Sequence, residues 1–289
     1  MINGPVAQWE STSFATRKSG VQVPSGPDYF FLRREGMERH YFYVPDLKPR
    51  EKKVTVLGEE FYHLDKVLRL KAKDKIFLLN GKGWVFKGQI YNKTKKSAEV
   101  KILSFIQSPE PKLKIHLIPA LLPSESMDFL IRTSAEVGVW QITPVITANC
   151  IVRFKDKKVI ATKLLRWQKI LIQGIKQSGN PWLPKLDDIR DFQSVVKNLE
   201  DRQMPKFILT QNGLEINSQV FLQIENEIVL LIGPEGGFTE EEIELAQESG
   251  FVPLSLGTLR WRSQITALMA VIIFKYSYLY FQSQDEVLS

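Results

Sequence analysis

The sequence has little of what staples or metallates a chain: one cysteine, Cys150, and three histidines, His40, His63 and His116, in 289 residues. A single thiol excludes an internal disulfide and a cysteine zinc cluster, and so few imidazoles leave little for a histidine-rich site, so no metal is expected. The thiol count fits a reducing compartment, and a cytoplasmic location is expected. Long apolar runs are missing too. The longest, Ala267 to Phe274, ends at Lys275, short of the roughly 18 to 20 residues of a membrane span, and no apolar segment opens the chain, so no membrane partner is expected. What is present is ordinary for a globular protein, 44% hydrophobic, 25% charged and 11% aromatic. That balance excludes a mostly disordered or collagenous chain and suffices for about two domains.

The net charge of +7 is unevenly spread. Between Lys66 and Lys101 eleven Lys or Arg face only Asp74 and Glu99, a local surplus of +9 that leaves the rest of the chain at −2. A segment this basic is the electrostatic footprint of a polyanion-binding face; the alternative is a solvated lysine-rich surface. Tyr62, Phe77, Trp84, Phe86 and Tyr91 are interleaved with it. At alternating positions they read as barrel core more readily than as a platform for bases.

Residues 1 to 36 mix Gly, Pro, Ser, Thr and Arg without a period and are expected to form a poorly ordered tail. The stretch Gly20-Val21-Gln22-Val23-Pro24 resembles an in-frame reading of a tRNA T-arm, which makes Met37 the expected start. Over 37 to 108, short strand signals predict a small β-barrel: Tyr41 to Val44, Lys75 to Leu79 before Asn80-Gly81, Trp84 to Ile90, and Ala98 to Phe105, with a helix at Glu59 to Leu68. Ser108-Pro109-Glu110-Pro111 reads as a stiff linker. Over 112 to 289 apolar runs alternate with helical patterns, the mark of an α/β domain around a buried parallel sheet. Strands are predicted at Lys114 to Ala120, Gln141 to Val145, Lys206 to Thr210, Glu227 to Ile232 and Val252 to Leu256. Helices are predicted at Glu125 to Val137, Ala161 to Gln177, Glu240 to Gly250 and Gln264 to Phe281.

The fourth of these strands runs into Gly233-Pro234-Glu235-Gly236-Gly237, followed by a well-marked helix start. Thr239 and Glu242 form a capping box, and Phe238 and Ile243 a hydrophobic staple. A glycine-rich turn lets backbone approach a ligand, and ligands of open α/β sheets sit beyond the carboxyl ends of strands. Glu240, Glu241 and Glu242 fill the helix start that would otherwise attract phosphate, so a ligand without phosphate, preferably cationic, is expected. The spacing matches neither G-x-G-x-x-G nor the P-loop.

The run Leu230-Leu231-Ile232-Gly233-Pro234-Glu235-Gly236-Gly237-Phe238-Thr239-Glu240-Glu241-Glu242, with Leu254-Ser255-Leu256-Gly257, resembles the RsmE family of ribosomal RNA uridine-N3 methyltransferases in the SPOUT superfamily. So do Leu57-Gly58-Glu59-Glu60 with His63-Leu64 and Val67 to Lys71, Gly138 with Ile142 to Val145 and Arg153, and Arg166 to Ile170 with Gln177-Ser178-Gly179. Together these stretches span Tyr41 to about Phe274.

The resemblance implies a PUA-like barrel that grips RNA, joined to an α/β trefoil-knot domain, in a homodimer with the active site at the subunit interface. It implies S-adenosylmethionine as cofactor, held by Ile232, Gly233, Pro234, Gly236, Gly237, Leu254, Leu256, Gly257, Leu259, Arg260 and Trp261, with Thr210 at the end of the preceding strand. The substrate it implies is 16S ribosomal RNA or the small ribosomal subunit, gripped through Arg69, Lys71, Lys73, Lys75 and Arg153 and methylated at a uridine N3.

Uracil N3 is protonated near neutral pH, so the transition state gathers negative charge as the proton leaves. The resemblance implies that Arg262, matching the family's arginine before the last helix, holds a uracil oxygen and stabilises that charge; the alternative is a phosphate contact or a salt bridge. Where the family shows Thr-Glu-Thr-Ala after this arginine, the chain has Ser263, Gln264, Ile265 and Thr266. Gln264 cannot take up a proton as a carboxylate does, though it can position by hydrogen bonds. Asn180 and Pro123 to Ser126 depart from the family as well. The alternative is an RNA-binding assembly factor that kept the fold and lost catalysis. Elsewhere, His116 and Cys150 read as buried core, His63 as either packing or touching RNA, and Trp261 more as core than as a cofactor contact.

Overall fold

The computed structural model describes residues 39–153 and 156–288; the tail expected over residues 1 to 36 lies outside them. The first sheet is built from β1 (Tyr41–Tyr43), β2 (Lys53–Val56), β3 (Lys75–Leu79), β4 (Trp84–Lys93) and β5 (Ala98–Gln107), in the order β1-β3-β4-β5-β2. Only β1 and β3 run parallel; the other pairs are antiparallel. Alternation along β3 and β4 turns Ile76, Leu78, Phe86 and Ile90 inward onto Phe42, Leu64 and Val100. Phe86 is buried in the barrel core and Phe77 on the other face of β3, against Tyr41, whereas Tyr62 and Tyr91 stand out in solvent.

Two local expectations needed correction. The predicted helix over Glu59 to Leu68 is one α-turn, α1 (Gly58–Tyr62), continued by a π-helical turn at His63–Val67. The Lys53–Val56 strand was missed because Glu51, Lys52 and Lys53 dilute its two valines.

The turn that joins β3 to β4 holds the barrel to the rest of the chain. Asn80 Oδ1 accepts the N–H groups of Lys82 and Trp84, and Gly81 and Gly83 take the left-handed conformation. This turn exchanges backbone hydrogen bonds with 181–183: Gly83 N–H to Pro181 O and Leu183 N–H to Gly81 O, both at 3.0 Å. A Cβ on Gly83 would lie 2.3 Å from the Trp182 ring, so glycine is required by contact as well as by φ. The Trp182 indole in turn donates to Pro109 O at 3.1 Å, tying down the proline-bearing connection.

The second sheet contains β6 (Lys114–Pro119), β7 (Gln141–Ile142), β9 (Lys185–Leu186), β11 (Lys206–Glu215), β12 (Glu227–Ile232) and β13 (Phe251–Ser255), in the order β13-β11-β12-β6-β7-β9 and parallel throughout. A separate ribbon pairs β8 (Val145–Ile146) with β10 (Arg190–Asp191). The predicted strand over Gln141 to Val145 is therefore two, split at Thr143-Pro144, where proline has no N–H for the ladder.

Seven helical segments are seen among the described residues. After α1 come α2 (Ser124–Val137), α3 (Lys157–Ser178), α4 (Phe192–Asn198), α5 (Ser218–Leu222), α6 (Glu240–Glu248) and α7 (Ser263–Leu288). Sequence reasoning missed the short α4 and α5, although each carries a cap: Asp191 accepts from Ser194 N, and Asn217 from Gln219 N. β12, aliphatic from Ile228 to Ile232, forms the middle of the sheet and is fully buried from Ile228 to Leu231. From β12 the chain passes through α6 to β13 on the far side of β11, the kind of crossing a knotted fold requires.

One expectation drawn from hydropathy also changes. Within α7, Ser263–Gln282 is long and apolar enough to cross a membrane, because Ser, Thr and Tyr dilute its hydropathy without breaking it. Its Ala270, Val271 and Phe274 are instead buried in the protein, packed toward α2, β6 and β12.

Candidate active site

The carboxyl ends of β11, β12 and β13 open into a cavity of ≈ 650 Å³. Its near wall is the glycine loop. Gly237 N–H closes a turn on Pro234 O at 2.9 Å, and Gly237 takes φ 71, which only glycine adopts without strain. The loop ends in a fixed helix start: Thr239 and Glu242 satisfy each other's backbone N–H groups as a capping box.

A loop following β8 braces this wall from behind. Asn149 Nδ2 donates to Gly236 O at 3.2 Å and Gly237 O at 3.1 Å, and Ala148 N–H donates to Glu242 Oε1 at 2.7 Å. Arg153, expected to grip RNA, is exposed and donates to Ala148 O at 2.9 Å, so it stands beside this brace and away from the barrel.

The far wall comes from an irregularity in β11. Leu209 and Leu214 both pair with Leu254, so residues 210–213 arch out between two pairings to one partner. A Cβ on Gly213 would fall 2.5 Å from the Leu254 carbonyl carbon; glycine alone lets the arch cross that backbone. The arch brings Thr210, Gln211 and Asn212 to the cavity. Ser255 Oγ lies 3.2 Å from Gln211 O and accepts Gly257 N–H at 3.2 Å, which fixes the turn after β13. Gly257 takes φ 95.

All residues expected to hold a cofactor line this cavity except Leu254, which is fully buried behind it. Trp261, expected rather as core, is 42% exposed at the cavity rim. Sequence reasoning missed Gln211, Asn212 and the Asn149 brace. Glu240, Glu241 and Glu242 fill the first turn of α6 as expected but do not line the cavity; the carboxylate that does is Glu235. The cavity is still no phosphate cradle, since Arg260 is its single cationic side chain.

Arg262 and Gln264 stand at the start of α7, between the lining residues Trp261, Ser263 and Thr266. Arg262 O receives the N–H groups of Ile265 and Thr266 at 2.8 and 2.9 Å, and its side chain is exposed. Gln264 is 8% exposed, and its Oε1 is buried with no hydrogen-bond partner. A buried acceptor left open costs free energy that an incoming donor would recover. Leucine and isoleucine walls, close-set glycine backbone and one carboxylate fit an uncharged base and a sulfonium-bearing amino acid better than a polyphosphate.

A second polar centre lies under α4 and shares no lining residue with this cavity. Thr143 Oγ1 donates to Asp187 Oδ2 at 2.6 Å, and its single hydrogen being used, the His116 imidazole Nε2 at 2.7 Å must donate to it. His116 and Cys150 are buried as expected.

Two family models match the chain: an RNA methyltransferase domain over residues 109–275 and an RNA methyltransferase PUA domain over residues 56–103. Ribosomal RNA small subunit methyltransferase E of Buchnera aphidicola subsp. Schizaphis graminum is 31% identical over 222 residues, covering 76% of this chain and 88% of that one. Among solved structures, a methyltransferase of Legionella pneumophila in complex with bound SAM superposes with TM-score 0.75 at 31% identity, over 83% of this chain and 98% of that one. A ribosomal RNA small subunit methyltransferase E of Neisseria gonorrhoeae, bound to S-adenosyl methionine, gives TM-score 0.74 at 30% identity over the same shares.

Proposed function

The chain belongs to the RNA methyltransferase family that includes the ribosomal RNA small subunit methyltransferases E, and on that premise we propose that it transfers a methyl group from S-adenosylmethionine to a uridine N3 of small-subunit (16S) ribosomal RNA. The observation that carries this reading is the cavity at the ends of β11, β12 and β13, walled by two glycine turns and poor in cations. Residues 37–108 serve as the RNA-gripping barrel and residues 112–289 as the catalytic domain.

When bound, S-adenosylmethionine supplies an electrophilic methyl group. Gly233, Gly236, Gly237 and Gly257 would hold it through their backbone, Leu256 and Leu259 would cover its apolar parts, and Glu235 would offer a counter-charge. Catalysis then consists of holding the nucleotide in line and stabilising charge as N3 loses its proton. Arg262 has the permanent charge for that stabilisation, and Gln264 orients the base edge through its open carbonyl. The exposed apolar stripe of α7, with Ile272 and Tyr276 on it, supports a homodimer. Since its substrate is ribosomal RNA, the enzyme acts in the cytoplasm.

Titration calorimetry with S-adenosylmethionine, followed by labelled-methyl transfer to unmodified ribosomal RNA, tests the reading. Cofactor binding with transfer to a uridine N3 is expected; binding without transfer would point to an inactive assembly factor. Gly236→Trp puts a bulky ring where a Cβ already comes within 3.3 Å of Asn149. It should abolish cofactor binding and spare RNA binding, and unchanged cofactor affinity would mean the cavity is misassigned.

A further inference from the structure

A cleft of ≈ 850 Å³ separates the barrel from α3, and no residue lines both it and the cofactor cavity. Its size is within the range of about 300–1,000 Å³ typical of small-molecule sites. One wall is α1 and the π-helical turn; the other is the stripe of α3 that carries Lys169, Gln173, Lys176 and Gln177. Two ion pairs join the walls, Lys169 to Glu59 at 2.6 Å and Lys176 to Glu60 at 2.8 Å. These pairs spend the carboxylates of Glu59 and Glu60 and the ammonium groups of Lys169 and Lys176 on each other; Arg39 is the further permanent cation in the lining.

Three features of that centre go unused by the fold. The Nδ1 atom of His63 is buried and has no hydrogen-bond partner. The π turn, closed by Leu68 N–H on His63 O at 3.0 Å, inserts an extra residue and re-aims His63; such turns gather at functional sites. Gln173 and Gln177, one helical turn apart on the facing wall, are exposed, and each amide offers a donor and an acceptor. Tyr62 stands at the rim, 63% exposed. The basic run Arg69, Lys71, Lys73 and Lys75 begins immediately after the cleft residue Leu68.

We propose that this cleft takes the base of an unpaired RNA nucleotide other than the one methylated, with Tyr62 stacking on it and His63, Gln173 and Gln177 hydrogen-bonding its edge. Unpaired bases are read in this way, by aromatic faces and by donors and acceptors on their edges, while neighbouring cations hold the backbone. Burial and the nearby Lys176 ammonium hold the His63 pKa below its usual value, so the imidazole meets a base in its neutral form. The inference rests on the RNA-methylating reading and adds a second point of contact that fixes which nucleotide reaches the methyl group.

The experiment measures binding of a single-stranded fragment of small-subunit ribosomal RNA by the full chain, by Tyr62→Ala, by Tyr62→Trp, and by the double variant Gln173→Ala, Gln177→Ala. All the changed side chains are exposed, so folding should persist and S-adenosylmethionine affinity should not change. Tyr62→Ala and the double variant should each bind RNA roughly tenfold more weakly with an unaltered salt slope. Tyr62→Trp should keep its affinity. Wild-type affinity in both altered chains, or a loss that comes with a flattened salt slope, overturns the proposal. If the altered chains lose affinity while the wild type transfers no methyl group, the cleft stands and the functional reading falls.

Discussion

At the scale of single residues, the chain uses glycine where backbone must touch backbone and places polar side chains where strands must be held together. Gly213 permits the arch over Leu254; His116, Thr143 and Asp187 fasten β6 to the segments after β7 and β9. This second cluster has a consequence for stability. Burial, partly opposed by Asp187, lowers the His116 pKa to about 4 from 6.5. The unfolded chain therefore takes up this proton first as pH falls. Stability is fully present above about 6.5 and declines toward 4, by about 3 kcal/mol at the rate of 1.36 kcal/mol per unit. Burial pushes Asp187 up, but hydrogen bonds from Thr143, Gln141 and Lys185 leave its pKa below the usual value, so its stabilisation also disappears as pH falls. Urea unfolding of the wild type between pH 7.5 and 4.5 should show the decline, and His116→Gln should lose most of its part above pH 5. An equally steep decline in the variant would assign the acid sensitivity elsewhere.

At the scale of elements, the basic strands and turns of the barrel give the clearest charge prediction. Arg69, Lys71, Lys73 and Lys75 are all exposed, and Arg69 and Lys73 take positive φ, which turns the chain sharply between α1 and β3. Replacing Lys71, Lys73 and Lys75 with Ala should weaken RNA binding uniformly across sequences. It should also flatten the salt dependence, by about one unit of slope for each phosphate that is no longer neutralised; an unchanged slope would remove this face from the binding surface.

The same elements show what could be read in the sequence. The Glu227–Ile232 strand, the capped α6 and the glycine loop between them were legible because each is written locally, in aliphatic run, cap and turn residues. The arch in β11 was not, because residues 210–213 look like an ordinary strand end; only their approach to Leu254, more than 40 residues away, gives them their shape. The contact that Glu242 makes outside its own helix start was hidden for a similar reason. Glu242 is consumed by the cap and by Ala148, a partner that no local pattern announces.

At the scale of the whole molecule, α7 presents an apolar stripe that the described residues leave exposed. Ile272, Tyr276, Leu279 and Tyr280 repeat at helical spacing and are 38%, 67%, 43% and 60% exposed. The opposite side of the same helix, with Ala270, Val271 and Phe274, is buried in the protein. Exposed stripes of this kind on a central helix are costly unless a partner buries them. In the proposed homodimer, a two-fold pairing of this stripe with a second copy would remove the cost. Tyr276→Glu combined with Leu279→Glu would introduce carboxylates from both copies into such an interface. Analytical ultracentrifugation should then show a monomer, and methyl transfer should fall with it, while far-UV circular dichroism stays as in the wild type. A variant that remains dimeric, or a wild type that is monomeric and fully active at assay concentration, would place the second copy elsewhere or dispense with it.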